Sequence, residues 1–213
     1  MNVIKINADH PEPEKITLAV NALREGQIIA YLTDTIYGLG VDARLPGAID
    51  QIYALKRRVT EKALPVIIGN RGMLAGWVKY VSPVAEKLMQ DFWPGPLTLV
   101  FEATKRVPQN LIASSTTLAV RVPARALPRL LSEMLNAPII STSANLAGQP
   151  GATTAEEVVR QFGSELPLLL DSGPACTTLA STILDVTTSP PRLLRAGALP
   201  QEAIMQSIGA IQT

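Results

Sequence analysis

A chain of 213 residues, 47% hydrophobic and 17% charged, has the size and composition of one globular fold with a core of its own. Nineteen Lys and Arg stand against eighteen Asp and Glu, a formal net charge of +1. No global excess therefore recruits nucleic acid or an anionic membrane, and any anion site has to be a local cluster. One cysteine, Cys176, excludes an intrachain disulfide and is expected to be inert; one histidine, His10, leaves no His/Cys cluster for zinc and sits as a solvated residue between Asp9 and Pro11. The first residues carry Pro and acids where a signal peptide has its apolar core, and no apolar run approaches the roughly 20 residues of a membrane span, so a cytoplasmic protein without membrane contact is expected.

In chain order, "VIKI" at 3–6 predicts a strand. The stretch "PEKITLAVNALREG" places Ile16, Val20 and Leu23 at helical spacing before a stop at Gly26. Strand-like runs follow at 27–33, 64–69, 97–103, 118–123 and 137–142. Between them "SPVAEKLMQDFW" opens with Ser82 as an N-cap and Pro83 in the first helical turn. After them "TTAEEVVRQFG" offers a capping box from Thr154 to Glu157 and a stop at Gly163. The runs at 166–171, 181–186 and 192–197 lack intervening helices, so the sheet is expected to be mixed rather than purely parallel. With no Pro/Ser/Gly-rich linker and no internal repeat, a single α/β domain over 1–213 is the simplest organisation.

Chemistry-bearing residues gather where strands begin or end. "TDTIYGLG" at 33–40 sets the hydroxyls of Thr33, Thr35 and Tyr37 beside two glycines, which suits either a small polar pocket or a glycine turn. "LKRRVTEKALP" crowds Lys56, Arg57, Arg58 and Lys62 ahead of a strand; a helix dipole accounts for one or two of these, and four suit a polyphosphate. The chain has no P-loop pattern, so a nucleotide has to be held by scattered side chains and backbone amides. "WPGPLTLVF" at 93–101 fixes a rigid corner, and "LAVRVP" plants Arg121 in an apolar strand, where it needs an anionic partner inside the fold or a ligand. "STSANLAG" at 141–148, Ser181 and Thr182 of "STILD", and Arg195 of "RLLRAG" complete a set of polar strand ends that suits a shared ligand cavity.

In this order and spacing, "TDTIYGLG", "LKRRVTEKALP", "WPGPLT", "AVRVP", "STSANLAG", "STILD" and "LLRAGAL" resemble the YrdC/TsaC family of threonylcarbamoyl-AMP synthases. The resemblance runs from about residue 15 to about 200 and implies a YrdC-like twisted mixed β-sheet, flanked by helices around a large concave basic cavity. It implies formation of L-threonylcarbamoyladenylate and pyrophosphate from L-threonine, bicarbonate or CO2 and ATP. Mg2+ would travel with the ATP, and the product would pass to the tRNA threonylcarbamoyl transferase complex for N6-threonylcarbamoyladenosine modification. Carried over by motif, Lys56 and Arg58 are the implied catalytic cations. Arg58, Lys62, Ser143, Asn145 and Arg195 are implied for ATP, and Thr35, Arg121, Ser141 and Ser181 for threonine. The sequence departs from the family at Leu32, Val59 and Ala63, where prolines are usual, and at Ala147 in place of a common Ser. The chain resembles the family's short form.

No general base or covalent nucleophile stands out, so catalysis is expected to come from positioning three reactants and neutralising their charge. The alternative is a divergent YrdC-like paralogue acting as an RNA-binding module, with weak tRNA contact. Against it stand the net charge of +1, the 4% aromatic content and the lack of an interleaved Arg/aromatic stripe.

Overall fold

The computed structural model describes residues 1–57 and 62–213. Among these residues the strands form two mixed sheets where the sequence predicts one. The first has the order β1 (Asn2–Lys5), β9 (Leu168–Asp171), β2 (Ile29–Leu32), β3 (Tyr37–Gly40), β8 (Thr142–Ser143). The second runs β11 (Arg192–Arg195), β10 (Thr182–Asp185), β5 (Leu97–Glu102), β6 (Thr117–Arg121), β4 (Val66–Ile67), β7 (Ile139–Ile140). Each contains parallel and antiparallel neighbours: β2 runs parallel to β9 and antiparallel to β3, and β10 runs parallel to β5 and antiparallel to β11.

The correction from one sheet to two has its cause at 137–142. What reads as one strand is split at Ser141: Ile139 and Ile140 pair with β4 of the second sheet, whereas Thr142 and Ser143 pair with β3 of the first. The amide of Ser141 donates to Pro65 O and that of Ile140 to Val41 O, so the crossing residues keep their backbone bonds. Gly40 makes the crossing possible. A Cβ there would stand 2.7 Å from Tyr31 Cε1 and 2.8 Å from Ile139 Cγ2, so the two sheets could not close to this distance over any side chain.

The predicted helices form with the expected caps. Ser82 Oγ accepts from the amide of Ala85 at the start of α3 (Pro83–Phe92), and Thr154 Oγ1 accepts from that of Glu157 at the start of α6 (Ala155–Phe162). The return half of that capping box lands one residue early, Glu157 Oε2 accepting from the amide and hydroxyl of Thr153. Helix α1 (Pro13–Arg24) and α5 (Ala126–Leu135) cover one face of the first sheet, and α2 (Pro46–Leu55) lies in the core shared by its other face and the second sheet. Strand alternation assigns the faces: Ile29 and Tyr31 of β2 pack under α1 and α5, while Ala30 and Leu32 enter the larger core. In β5 and β6, Leu97, Leu99, Phe101, Leu118 and Val120 face that core, which leaves the intervening positions for the opposite face. No helix among the described residues is long and apolar enough to cross a membrane.

Candidate active site

The face of the second sheet turned away from the helices forms the floor of a cavity of about 330 Å3. The same alternation that fills the core supplies Thr98, Val100, Thr117, Ala119, Arg121 and Ile183 to this floor. Register places Ile183 beside both Thr98 and Arg195, so hydroxyl, methyl and guanidinium sit in one row across three strands. The β2–β3 hairpin loop and the crossing segment at 141–143 form the wall opposite, and Ala63, Leu64 and Pro65 close one side. The volume lies in the range of small-ligand sites. Among the described residues the charged lining consists of Arg121 and Arg195, and Arg121 is offset by a carboxylate.

Arg121 is 6% exposed and pairs with Asp34, whose Oδ1 accepts from Nη2. Its Nε donates to Gly95 O at 3.0 Å and its Nη1 to Thr35 Oγ1 at 3.3 Å. Of the two alternatives left by the sequence the internal ion pair is present, and Arg121 also lines the cavity. The rigid "WPGP" corner matters here because its Gly95 carbonyl anchors the guanidinium; Trp93 Nε1 in turn donates to Leu97 O at 2.6 Å. Burial lowers the Arg121 pKa and the adjacent Asp34 works against that shift.

Proton directions in this cluster follow from counting. Thr33 Oγ1 donates its single hydrogen to Ile36 O at 2.8 Å, so in the 2.8 Å contact between the two threonines Thr35 is the donor. Thr35 thus receives Arg121 and gives to Thr33, and the only capacity it retains is as an acceptor. Arg121 has committed three of its five N–H groups, leaving one on each terminal nitrogen without a partner among the described residues. A ligand lodged here meets two donors at Arg121 and an acceptor at Thr35, the complement of a carboxylate next to an amine or hydroxyl.

The segment 141–145 forms the second arm. Ser141 and Ser143 line the cavity. Ser143 Oγ donates to Asn145 Oδ1, and Asn145 Nδ2 donates to Gln149 O at 2.7 Å and Leu146 O at 2.9 Å, so the Asn145 amide is spent on the shape of its own loop. Lys56, just past the end of α2, is 2% exposed and lies outside the cavity lining. Its Nζ donates to Ser143 O, to Asn145 O at 2.7 Å and to Asn145 Oδ1 at 3.3 Å, while its carbonyl accepts from the amide of Ala147. The implied catalytic cation is, geometrically, the strut of the serine arm. Lys62 is exposed and outside the lining, with its carbonyl accepting from Tyr53 Oη at 2.9 Å, and Arg58 lies outside the described residues.

At the rim, Arg195 donates through Nε and Nη2 to Ser181 O and through Nη2 to Ser181 Oγ at 3.1 Å. Ser181 Oγ also meets Thr98 Oγ1 at 2.8 Å. Arg195 has no ion-pair partner among the described residues, and desolvation together with the like charge of Arg121 lowers its pKa. Thr182, expected to share the cleft with Ser181, points the other way and donates to Leu199 O at 2.6 Å, as neighbours on a strand must diverge. Thr98 and Thr117 were not among the predicted site residues. The signal for both was alternation, a hydroxyl on the face opposite Leu97 and Leu99 in one strand and Leu118 and Val120 in the other.

The geometry has parallels among known proteins. A family model for Sua5/YciO/YrdC, described as "Telomere recombination", matches residues 21–197. A curated relative from Pyrococcus abyssi named threonylcarbamoyl-AMP synthase is 36% identical over 212 residues, which is 100% of this chain and 62% of the relative. One of the same name from Bacillus subtilis is 34% identical over 92% of this chain and 57% of its own length. The chain therefore spans about three fifths of these relatives. The crystal structure of P. abyssi Sua5 complexed with L-threonine matches with a TM-score of 0.96 and 36% identity, over 100% of this chain and 62% of that one.

Proposed function

The chain belongs to the Sua5/YciO/YrdC family, and from that membership we propose that it makes L-threonylcarbamoyladenylate. The reaction joins L-threonine, bicarbonate and ATP, releasing pyrophosphate and water. The threonine amine adds to the bicarbonate carbon to give a carbamate, and a carbamate oxygen then displaces pyrophosphate from the α-phosphorus, which makes the chain a nucleotidyltransferase. The observation that carries the proposal is the polarity of the buried cluster: two uncommitted Arg121 N–H groups beside an acceptor-only Thr35 suit the carboxylate and the amine or hydroxyl of one amino acid. Ser141 and Ser181 would complete the threonine seat. Ser143 and Arg195, with Arg58 and Lys62, would meet the polyphosphate. In this reading Lys56 and Asn145 serve ATP indirectly, by shaping the arm that carries Ser143.

With hydroxyls and guanidiniums as its donor set, the cavity suits anions, so Mg2+ is proposed to enter on the ATP polyphosphate, where it would neutralise charge. The residues of the chain position and orient. The product would pass to a tRNA threonylcarbamoyl transferase, and a cytoplasmic site of action is part of the proposal. The RNA-binding alternative is not favoured, since the curated relatives carry the name of the synthase. The test is pyrophosphate release from ATP by the purified protein, with threonine and bicarbonate added separately and together. Release that needs both supports the synthase; release indifferent to threonine overturns it.

A further inference from the structure

Asp34 stands between two cavity-lining threonines, yet its own carboxylate is not part of the lining. One oxygen takes Arg121 Nη2, and the other, Oδ2, is buried with no hydrogen-bond partner among the described residues. Burying a carboxylate with half of its capacity unused is costly, and an internal ion pair seldom recovers that cost as stability. The other guanidinium of the cavity is arranged in the opposite way. Arg195 is held by the neutral oxygens of Ser181 and keeps its full positive charge towards the rim.

We propose that Asp34 is a positioning residue that sorts the two anions of the reaction. By neutralising Arg121 while fixing its orientation, it makes the inner guanidinium a seat for a single carboxylate and steers the polyphosphate to Arg195. A zwitterionic amino acid has no net charge, so the field of Asp34 costs it little, and it gains the two directed N–H groups. A pyrophosphate group carries several negative charges and is repelled from the inner seat by the buried carboxylate, whose field is poorly screened. The two substrates then settle in one order along the cavity, with the amino acid inside and the phosphates at the mouth. This inference rests on the synthase reading for the identity of the amino acid.

Two substitutions separate charge from orientation. Asp34→Asn keeps an oxygen for Arg121 Nη2 and removes the charge; Asp34→Ala removes both. Calorimetric titration with inorganic pyrophosphate alone and with L-threonine alone gives the readout, after circular dichroism has shown each variant to be folded. Asp34→Asn is expected to bind pyrophosphate about tenfold more tightly, by relief of one buried like charge, with threonine affinity within about twofold of the parent. Asp34→Ala is expected to lose about tenfold in threonine affinity, because the guanidinium is no longer aimed. A merely structural role would weaken both ligands together. Unchanged or weaker pyrophosphate binding by Asp34→Asn overturns the sorting. If the Asp34 variants do not fold, competition in the parent protein decides: saturating pyrophosphate should leave threonine affinity within about twofold, because the two anions take separate seats, and mutual exclusion overturns the proposal. Failure of the parent protein to bind threonine would instead count against the synthase reading, while the pyrophosphate titrations would still test the charge sorting.

Discussion

The two polar arms of the cavity are held in different ways. Around Arg121 the bonds run between side chains, from guanidinium to Thr35, from Thr35 to Thr33 and from Thr33 to Ile36 O, with Asp34 supplying the countercharge. In the serine arm one ammonium, Lys56, gathers the carbonyls of Ser143 and Asn145. The first arm is a closed relay across the junction of the two sheets, so an error in it should spread through the fold. The second is a loop braced mainly by neighbours, Lys56 beneath it and Gln161 Oε1 accepting from the amide of Leu146, so its failure should stay local. Precise ligand geometry needs both, because a site is only as well ordered as the shell that supports it.

The largest effect should come from breaking the relay. Arg121→Met leaves Asp34 buried without its cation and is expected to cost about 3–5 kcal/mol in urea unfolding. The double variant Asp34→Leu with Arg121→Met, which removes both charges, should recover most of that loss and still fail to bind threonine. A double variant as unstable as the single one would mean that the relay is not the source of the penalty. Next in size, Lys56→Met removes the ammonium shared by the carbonyls of Ser143 and Asn145, at about 1–3 kcal/mol. Hydrogen exchange should then speed up at the amides of Asn145 and Ala147, which bond within the arm to Ser143 O and Lys56 O, and stay slow at the β2–β3 hairpin. Acceleration in both places would erase the distinction between the arms.

Much of this was legible in the sequence and some of it was not, for reasons that particular residues show. The apolar strands around Arg121 announced that the charge needed an anion. They did not announce Asp34, which lies 87 positions away and is brought in by a hairpin loop of the other sheet. Lys56 sits in a basic run that suits phosphate, but its end points are carbonyls 87 and 89 positions on, and backbone atoms leave no mark on composition. β3 was hidden because "YGLG" has two glycines in four residues, which signals a turn until the close packing at Gly40 is seen. The split at Ser141 was equally hidden, since two two-residue strands in different sheets read as one run.

The smallest effect at neutral pH is expected at Tyr37, which lines the cavity beside the relay and ties it to the loop after β9. Its hydroxyl donates to Gly173 O at 2.7 Å and accepts from the amide of Ser172 at 3.2 Å. Burial pushes the phenol up to about 12, against about 10 in an unfolded chain. Because the folded state holds this proton more tightly, the stabilisation is complete below pH 10. It falls as the pH rises from about 10 to about 12, where the unfolded chain ionises first, by up to about 3 kcal/mol. Tyr37→Phe should cost about 1 kcal/mol at pH 7 through its lost hydrogen bonds, and it cannot ionise. The gap between parent and variant in urea midpoints should therefore close above pH 10 and then reverse. Tyr31, also buried and raised, is present in both proteins and cancels from the difference. A gap that stays constant from pH 7 to pH 11.5 would mean that the phenol ionises as readily folded as unfolded, and that the wall between the relay and the 171–173 loop is open to solvent.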